Sequence, residues 1–222
     1  MVIWKKLLGV ALVVTVPNGA QAQFGGLTKM AKGALGGGES VQTGDAEGFL
    51  NGTAKSTKNV MIAAALLAQA ITDRGALAGK KAEIDAIQGI QNVKELGAHS
   101  AALQSNLEVL NQRENLSADL QSAYESGTEQ QKQVIGTAVI NLAIGVARNV
   151  LLARQAPTIM KGIGRNPALV TRAEQFKTAG QLITLQAKGL GGIATHLPAL
   201  MTALKIKAPT NPETTEPQPI TL

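Results

Sequence analysis

The stretch that decides the fold is TEQQKQVIGTAVINLAIGVARNVLLARQ, Thr128–Gln155, the most apolar run downstream of the N-terminal leader. Val134, Ile135, Val139, Ile140, Leu142, Ile144, Val146, Val150, Leu151 and Leu152 leave little room for polar groups. The polar and small positions that interrupt them are Gln133, Thr137, Asn141, Gly145, Arg148 and Gln155, which step by three, four or seven. On a helix of 3.6 residues per turn those steps fall on one narrow edge, with the rest of the circumference apolar. Two readings compete: the central helix of a water-soluble bundle with one edge at the surface, and a membrane-inserting helix with a polar seam over 134–153. Arg148, Asn141 and Asn149 weigh against insertion, because one arginine near a helix centre costs roughly 2.5 to 3.5 kcal/mol on the insertion scale. Pro157 is expected to end this helix.

Composition extends the helical reading to the whole chain. Hydrophobic residues make up 45% of it but aromatics only 2%, so the core must be aliphatic. Small and aliphatic side chains favour helix on helix, whereas sheets draw on aromatic and β-branched residues. The expected fold is a single Ala/Leu-rich all-α bundle of about five to six helices.

Upstream, Asp45 is a candidate N-cap, and Val60, Met61, Ile62, Leu66, Leu67 and Ile71 give helical signal that Gly75 closes. Alanines at 63, 64, 65, 68 and 70 make that segment thin, which suits a central position. Lys80–Leu96 reads as one helix with Ile84, Ile87, Ile90, Val93 and Leu96 at spacings of three. Leu103, Leu107 and Leu110, then Leu116, Leu120 and Ala123, mark an amphipathic partner whose register slips around Asn115. Downstream, Thr171 and Glu174 match a capping box, Phe176, Ala179, Leu182 and Ile183 form a buried stripe, and Gly189, Gly191 and Gly192 are expected to stop it. Leu197–Lys205 supplies one further short helix.

The two ends differ from the middle. Lys5 and Lys6, the apolar Leu7–Val16, and Pro17 to Gly19 before Ala20-Gln21-Ala22 follow signal-peptide grammar, with cleavage expected after Ala22. Ten apolar residues insert without anchoring. Residues 23–44 are glycine-rich and read as a flexible arm, in which Phe24, Leu27 and Leu35 on one side, with Lys29 and Lys32 elsewhere, offer a contact for a partner or a lipid surface. The bundle is expected over 45–207. From Ala208 the chain holds four of its eight prolines and is expected to be a disordered tail over 208–222. The order of leader, glycine-rich arm, alanine-rich helices and proline-rich tail resembles many exported proteins of Gram-negative bacteria, and no motif narrows it to one family.

Chemistry is sparsely supplied. Of 21 Lys and Arg the leader takes two, leaving 19 against 15 acidic residues and a mature charge of +4, scattered and without interleaved aromatics, so nucleic acid is not an expected partner. No cysteine is present, which excludes disulfides, a thiol nucleophile and a lipid-attachment cysteine. His99 and His196 are the only histidines, each beside a helix boundary and without metal-ligand spacing. Glu83 with Asp85 and Glu108 with Glu114 read as solvated charge, and Gly162–Arg165 as a turn, since no lysine follows in phosphate-loop spacing. No cofactor, metal or catalytic residue is expected. The sequence therefore points to an exported, periplasmic or secreted, non-enzymatic protein that binds an envelope protein or surface. The alternative is a membrane-active protein that inserts 134–153.

Overall fold

The structure, a computed structural model, describes residues 42–222. The cleavage site and the arm residues Phe24, Leu27, Lys29, Lys32 and Leu35 lie outside the described residues. Within them the chain is all-α, with no strand. The elements are α1 (Thr43–Asp73), a 3-10 helix (Arg74–Lys80), α2 (Lys81–Gly89), α3 (Val93–Ala98), α4 (Ser100–Asn111), α5 (Leu116–Glu125), α6 (Glu129–Ile163), the single turn α7 (Pro167–Val170) and α8 (Ala173–Ala203).

The alanine-rich segment takes the centre. Every residue from Val60 to Ala68 is buried, so α1 is covered on all sides at that level, by α6 and α8 and by the shorter helices α3 to α5. Alanine makes this possible, because a slender helix lets its neighbours approach from several directions while the flanking Val60, Met61, Leu66 and Leu67 fill the gaps. The expected stripes are buried as read: Ile84, Ile87, Ile90, Val93 and Leu96; Leu103, Leu107 and Leu110; Leu116, Leu120 and Ala123; Phe176, Ala179, Leu182 and Ile183. Phe49 and Phe176 stack with ring centroids 6.5 Å apart and so tie α1 to α8.

Several boundaries differ from the sequence expectation. The α1 helix begins at Thr43 and its N-cap is Gln42, not Asp45. Lys80–Leu96 is two helices, since the Asn92 side chain accepts from the Glu95 N–H at 3.0 Å and donates to the Glu95 carboxylate at 2.7 Å, a reciprocal cap that starts α3 afresh. Asn115 caps α5 in the same manner, accepting from Ala118 N–H, which is the physical origin of the register slip there. Pro157 does not end α6, which runs on to Ile163. The proline is exposed, so the carbonyl it leaves unpaired one turn earlier can be met by water. The expected box at Thr171 and Glu174 is not formed; a capping box stands at Thr128 and Gln131, at the start of α6.

Gly189 and Gly192 likewise do not stop α8, which continues through Pro198 to Ala203. At Gly189 the role is steric: a Cβ there would stand 2.6 Å from Leu107 Cδ1, so the missing side chain lets α4 lie close against α8. Gly145 serves α6 in the same way, for a methyl there would overlap Val60 Cγ2 on α1.

Candidate binding cleft

The polar edge of α6 is at the surface only at its two ends, Gln133 and Gln155. Asn141 is 3% exposed and Gly145 is buried, and both face α1. Opposite them α1 carries Thr53, Ser56, Thr57 and Asn59, all buried. The Asn59 amide donates to the Asn141 carbonyl at 2.6 Å, and the Ser56 hydroxyl lies 3.5 Å from the Gly145 carbonyl. The seam continues to α8, where the fully buried Gln186 amide donates to Thr57 Oγ1 at 2.8 Å and to the Leu182 carbonyl at 3.2 Å. Buried polar groups need such partners, because an unmet one costs about 1 to 3 kcal/mol. Gln186 Oε1 has none within the protein.

At its outer end this seam opens into a cleft of about 310 Å³, lined by Lys55, Lys58, Asn59 and Ile62 of α1, Gln88 of α2, Asn141 of α6 and residues 216–220. The C-terminal segment reaches it by a sharp reversal at the end of α8. Lys205 has φ 56°, with its N–H on the Thr202 carbonyl at 3.1 Å and the Ile206 N–H on the Met201 carbonyl at 2.8 Å. That is a Schellman closure carried by lysine in place of the usual glycine. Ile206 then packs against the core. A further turn, in which the Thr214 and Thr215 N–H groups both reach the Asn211 carbonyl, aims the last residues along α6.

The contacts there are made largely to main chain. Asn141 holds both backbone groups of Gln218, accepting its N–H at 2.8 Å and donating to its carbonyl at 2.8 Å. Arg148, whose side chain is only 12% exposed, donates to the Thr215 carbonyl at 2.8 Å and stands 3.6 Å from the Glu216 carboxylate. Lys55 approaches the same carboxylate at 3.9 Å, and Lys58 donates to the Gln88 carbonyl at 3.1 Å. Ile220 and Leu222 rest half-buried on the core. Composition accounts for the lack of helix over 208–222, but it predicts no ordered contacts; in the structure the segment is a strap held at Thr215, Glu216 and Gln218.

The remaining sequence candidates stand apart from the cleft. His99 is exposed between α3 and α4. His196 is half-buried among Leu67, Leu110, Leu116, Leu120, Leu142, Ile193, Leu197 and Leu200, an apolar setting with no carboxylate. Glu83 pairs with Lys80 and Asp85 with Lys81, both within one helical turn, while Glu108 accepts from Gln104. No group of three or more His, Cys, Asp or Glu is placed to hold a metal among the described residues. Of Gly162–Arg165, read as a turn, Gly162 and Ile163 are the last residues of α6 and only Gly164 and Arg165 form the turn. What the sequence reading lacked was the partner of Asn141 and Arg148; their presence in an otherwise apolar run was the signal for one. The chain matches no family model, and comparison with curated proteins and with solved structures likewise yields no match.

Proposed function

We propose that the chain is exported on its N-terminal leader and acts, without catalysis, by binding another component of the bacterial envelope, and that the cleft between α1 and α6 is the binding surface. The observation that carries this is the grip of Asn141 and Arg148 on the main chain of an extended segment, which is how peptide-binding grooves gain affinity without demanding one sequence. The leader grammar of Met1–Ala22 supports the compartment. The test joins fractionation, N-terminal sequencing and cross-linking. We expect mature protein beginning at Gln23 in the envelope or medium, and an envelope cross-link that Arg148→Glu abolishes. Intact chain in the cytosol defeats the compartment, and a cross-link indifferent to Arg148 defeats the surface.

A second reading, insertion into lipid, draws on a specific observation. Thr43–Gly89 and Glu129–Ile163 are both long and apolar enough to cross a membrane by length and composition. They meet through Ser56, Asn59 and Gly145, small and polar residues of the kind that join helices in lipid. Against it, the large apolar side chains exposed among the described residues are only Met160 and Val170, so the folded bundle offers lipid little to enter. Mature protein that fails to float with anionic vesicles at low salt ends this reading.

A further inference from the structure

We infer that the α1–α6 cleft recognises an extended acidic peptide with prolines at alternate positions, and that residues 215–220 of the chain are its resident, self-supplied ligand. The inference rests on the proposed use of this cleft for binding and adds the chemistry of what it binds. Its first ground is the pattern of contacts along the strap. Reading from Thr215, the helices hold a carbonyl, a carboxylate and, at Gln218, both backbone groups, while Pro217, Pro219 and Ile220 form the wall that faces α1 across the open space. Pro217 and Pro219 have no N–H, so Gln218 supplies the one amide hydrogen of that triplet, and Asn141 accepts it. Prolines on either side also hold the segment extended before it binds, which lowers the entropy lost on docking.

The second ground is charge. Lys55 and Arg148 converge on Glu216 from two different helices, and Lys58 lines the same cleft. Together they favour an anionic group beside the first proline. Side-chain identity at Gln218 itself is not read, for that residue is exposed and held through its backbone. A segment from another protein that carries a carboxylate and, two residues on, a backbone amide between prolines therefore makes the same ion pairs and hydrogen bonds as the strap.

Tethering explains why the strap occupies the site. A short connection gives the tail an effective concentration on the order of millimolar, so even a modest intrinsic affinity holds it against α1 and α6 in cis. A trans segment must outcompete that, and binding is gated by release of the strap.

The test uses the full mature chain and a labelled synthetic peptide of residues 211–222, NPETTEPQPITL, followed by fluorescence anisotropy. The paired substitution Glu216→Lys with Gln218→Pro disarms the tail, reversing its charge and removing the N–H that Asn141 accepts. Both residues are exposed, so the helices are left intact. We expect the disarmed chain to bind the peptide at least about 10-fold more tightly than the unaltered chain, by loss of the cis competitor. On the disarmed chain, Asn141→Ala should weaken binding by about 10-fold, as loss of two hydrogen bonds predicts. Replacing the peptide's glutamate that corresponds to Glu216 by lysine should weaken it similarly, and this change cannot disturb the protein. A disarmed chain with unchanged circular dichroism that does not bind the peptide overturns the inference, as does binding indifferent both to Asn141 and to the peptide carboxylate. Because protein and peptide are both defined, this assay can fail while the envelope cross-link survives, which separates a wrong ligand from a wrong surface.

Discussion

Gly145→Ala is the sharpest probe of the architecture, because general helix propensity and the packing described above predict opposite signs for it. In an exposed helix interior the change to alanine stabilises by about 1 kcal/mol, since glycine gives up more backbone entropy on folding. At Gly145 the new methyl would overlap Cγ2 of Val60, which is fully buried. Valine in a helix is confined to essentially one χ1 rotamer, so it cannot swing aside, and α1 and α6 must separate. Overpacking of this kind costs about 1 to 3 kcal/mol, and overlap with a side chain that cannot move belongs to the upper part of that range, about 2 to 3, which leaves a net destabilisation of about 1 to 2 kcal/mol after the helix gain is subtracted. For a domain of this size that is a fall of roughly 2 to 8 °C in Tm. Gly48→Ala supplies the control, because Gly48 lies in α1 with nothing within 4 Å of an added Cβ. It should raise Tm by roughly 2 to 4 °C. Both are read by thermal unfolding under far-UV circular dichroism, with urea titration for the free energies. A Gly145→Ala protein as stable as the original, with Gly48→Ala behaving as stated, would show that α1 and α6 do not approach as closely as described.

Two other substitutions test the boundaries. Pro157→Ala restores an N–H inside α6 at an exposed position and should stabilise the chain by about 1 to 3 kcal/mol in urea titration; a loss of stability would mean that α6 is broken at that point. Thr128→Ala removes half of the capping box and should cost about 1 kcal/mol, with the earliest loss of amide protection in the first turn of α6, whereas Thr171→Ala should be close to neutral.

The buried stripes were readable from sequence because burial of aliphatic side chains is what organises a bundle so poor in aromatics. Ile84 through Leu96 and Phe176 through Ile183 were each identified as core without knowledge of any partner. Helix ends were less readable, for a physical reason. Gly189 looks like a stop when only backbone entropy is weighed, but close packing against Leu107 of α4 outweighs it, since a larger residue there would hold α4 away. The Schellman closure at Lys205 carries no glycine to announce it. The cleft was half readable. Asn141 and Arg148 stood out as polar intrusions, but their partners lie 67 to 77 residues away in a segment whose composition suggested nothing to bind.

The central place of α1 bears on how the chain must assemble. The short helices α3 to α5 can cover one side of it early, but α6 and α8 follow it by scores of residues, so the Val60–Ala68 girth is not closed on every side until almost the whole polypeptide is available. Loops that large close slowly, so such a molecule is expected to fold more slowly than an up-and-down bundle whose neighbours in space are neighbours in sequence. A truncated product ending before α6 would leave the side of α1 that α6 covers open to solvent, and it should be a chaperone client.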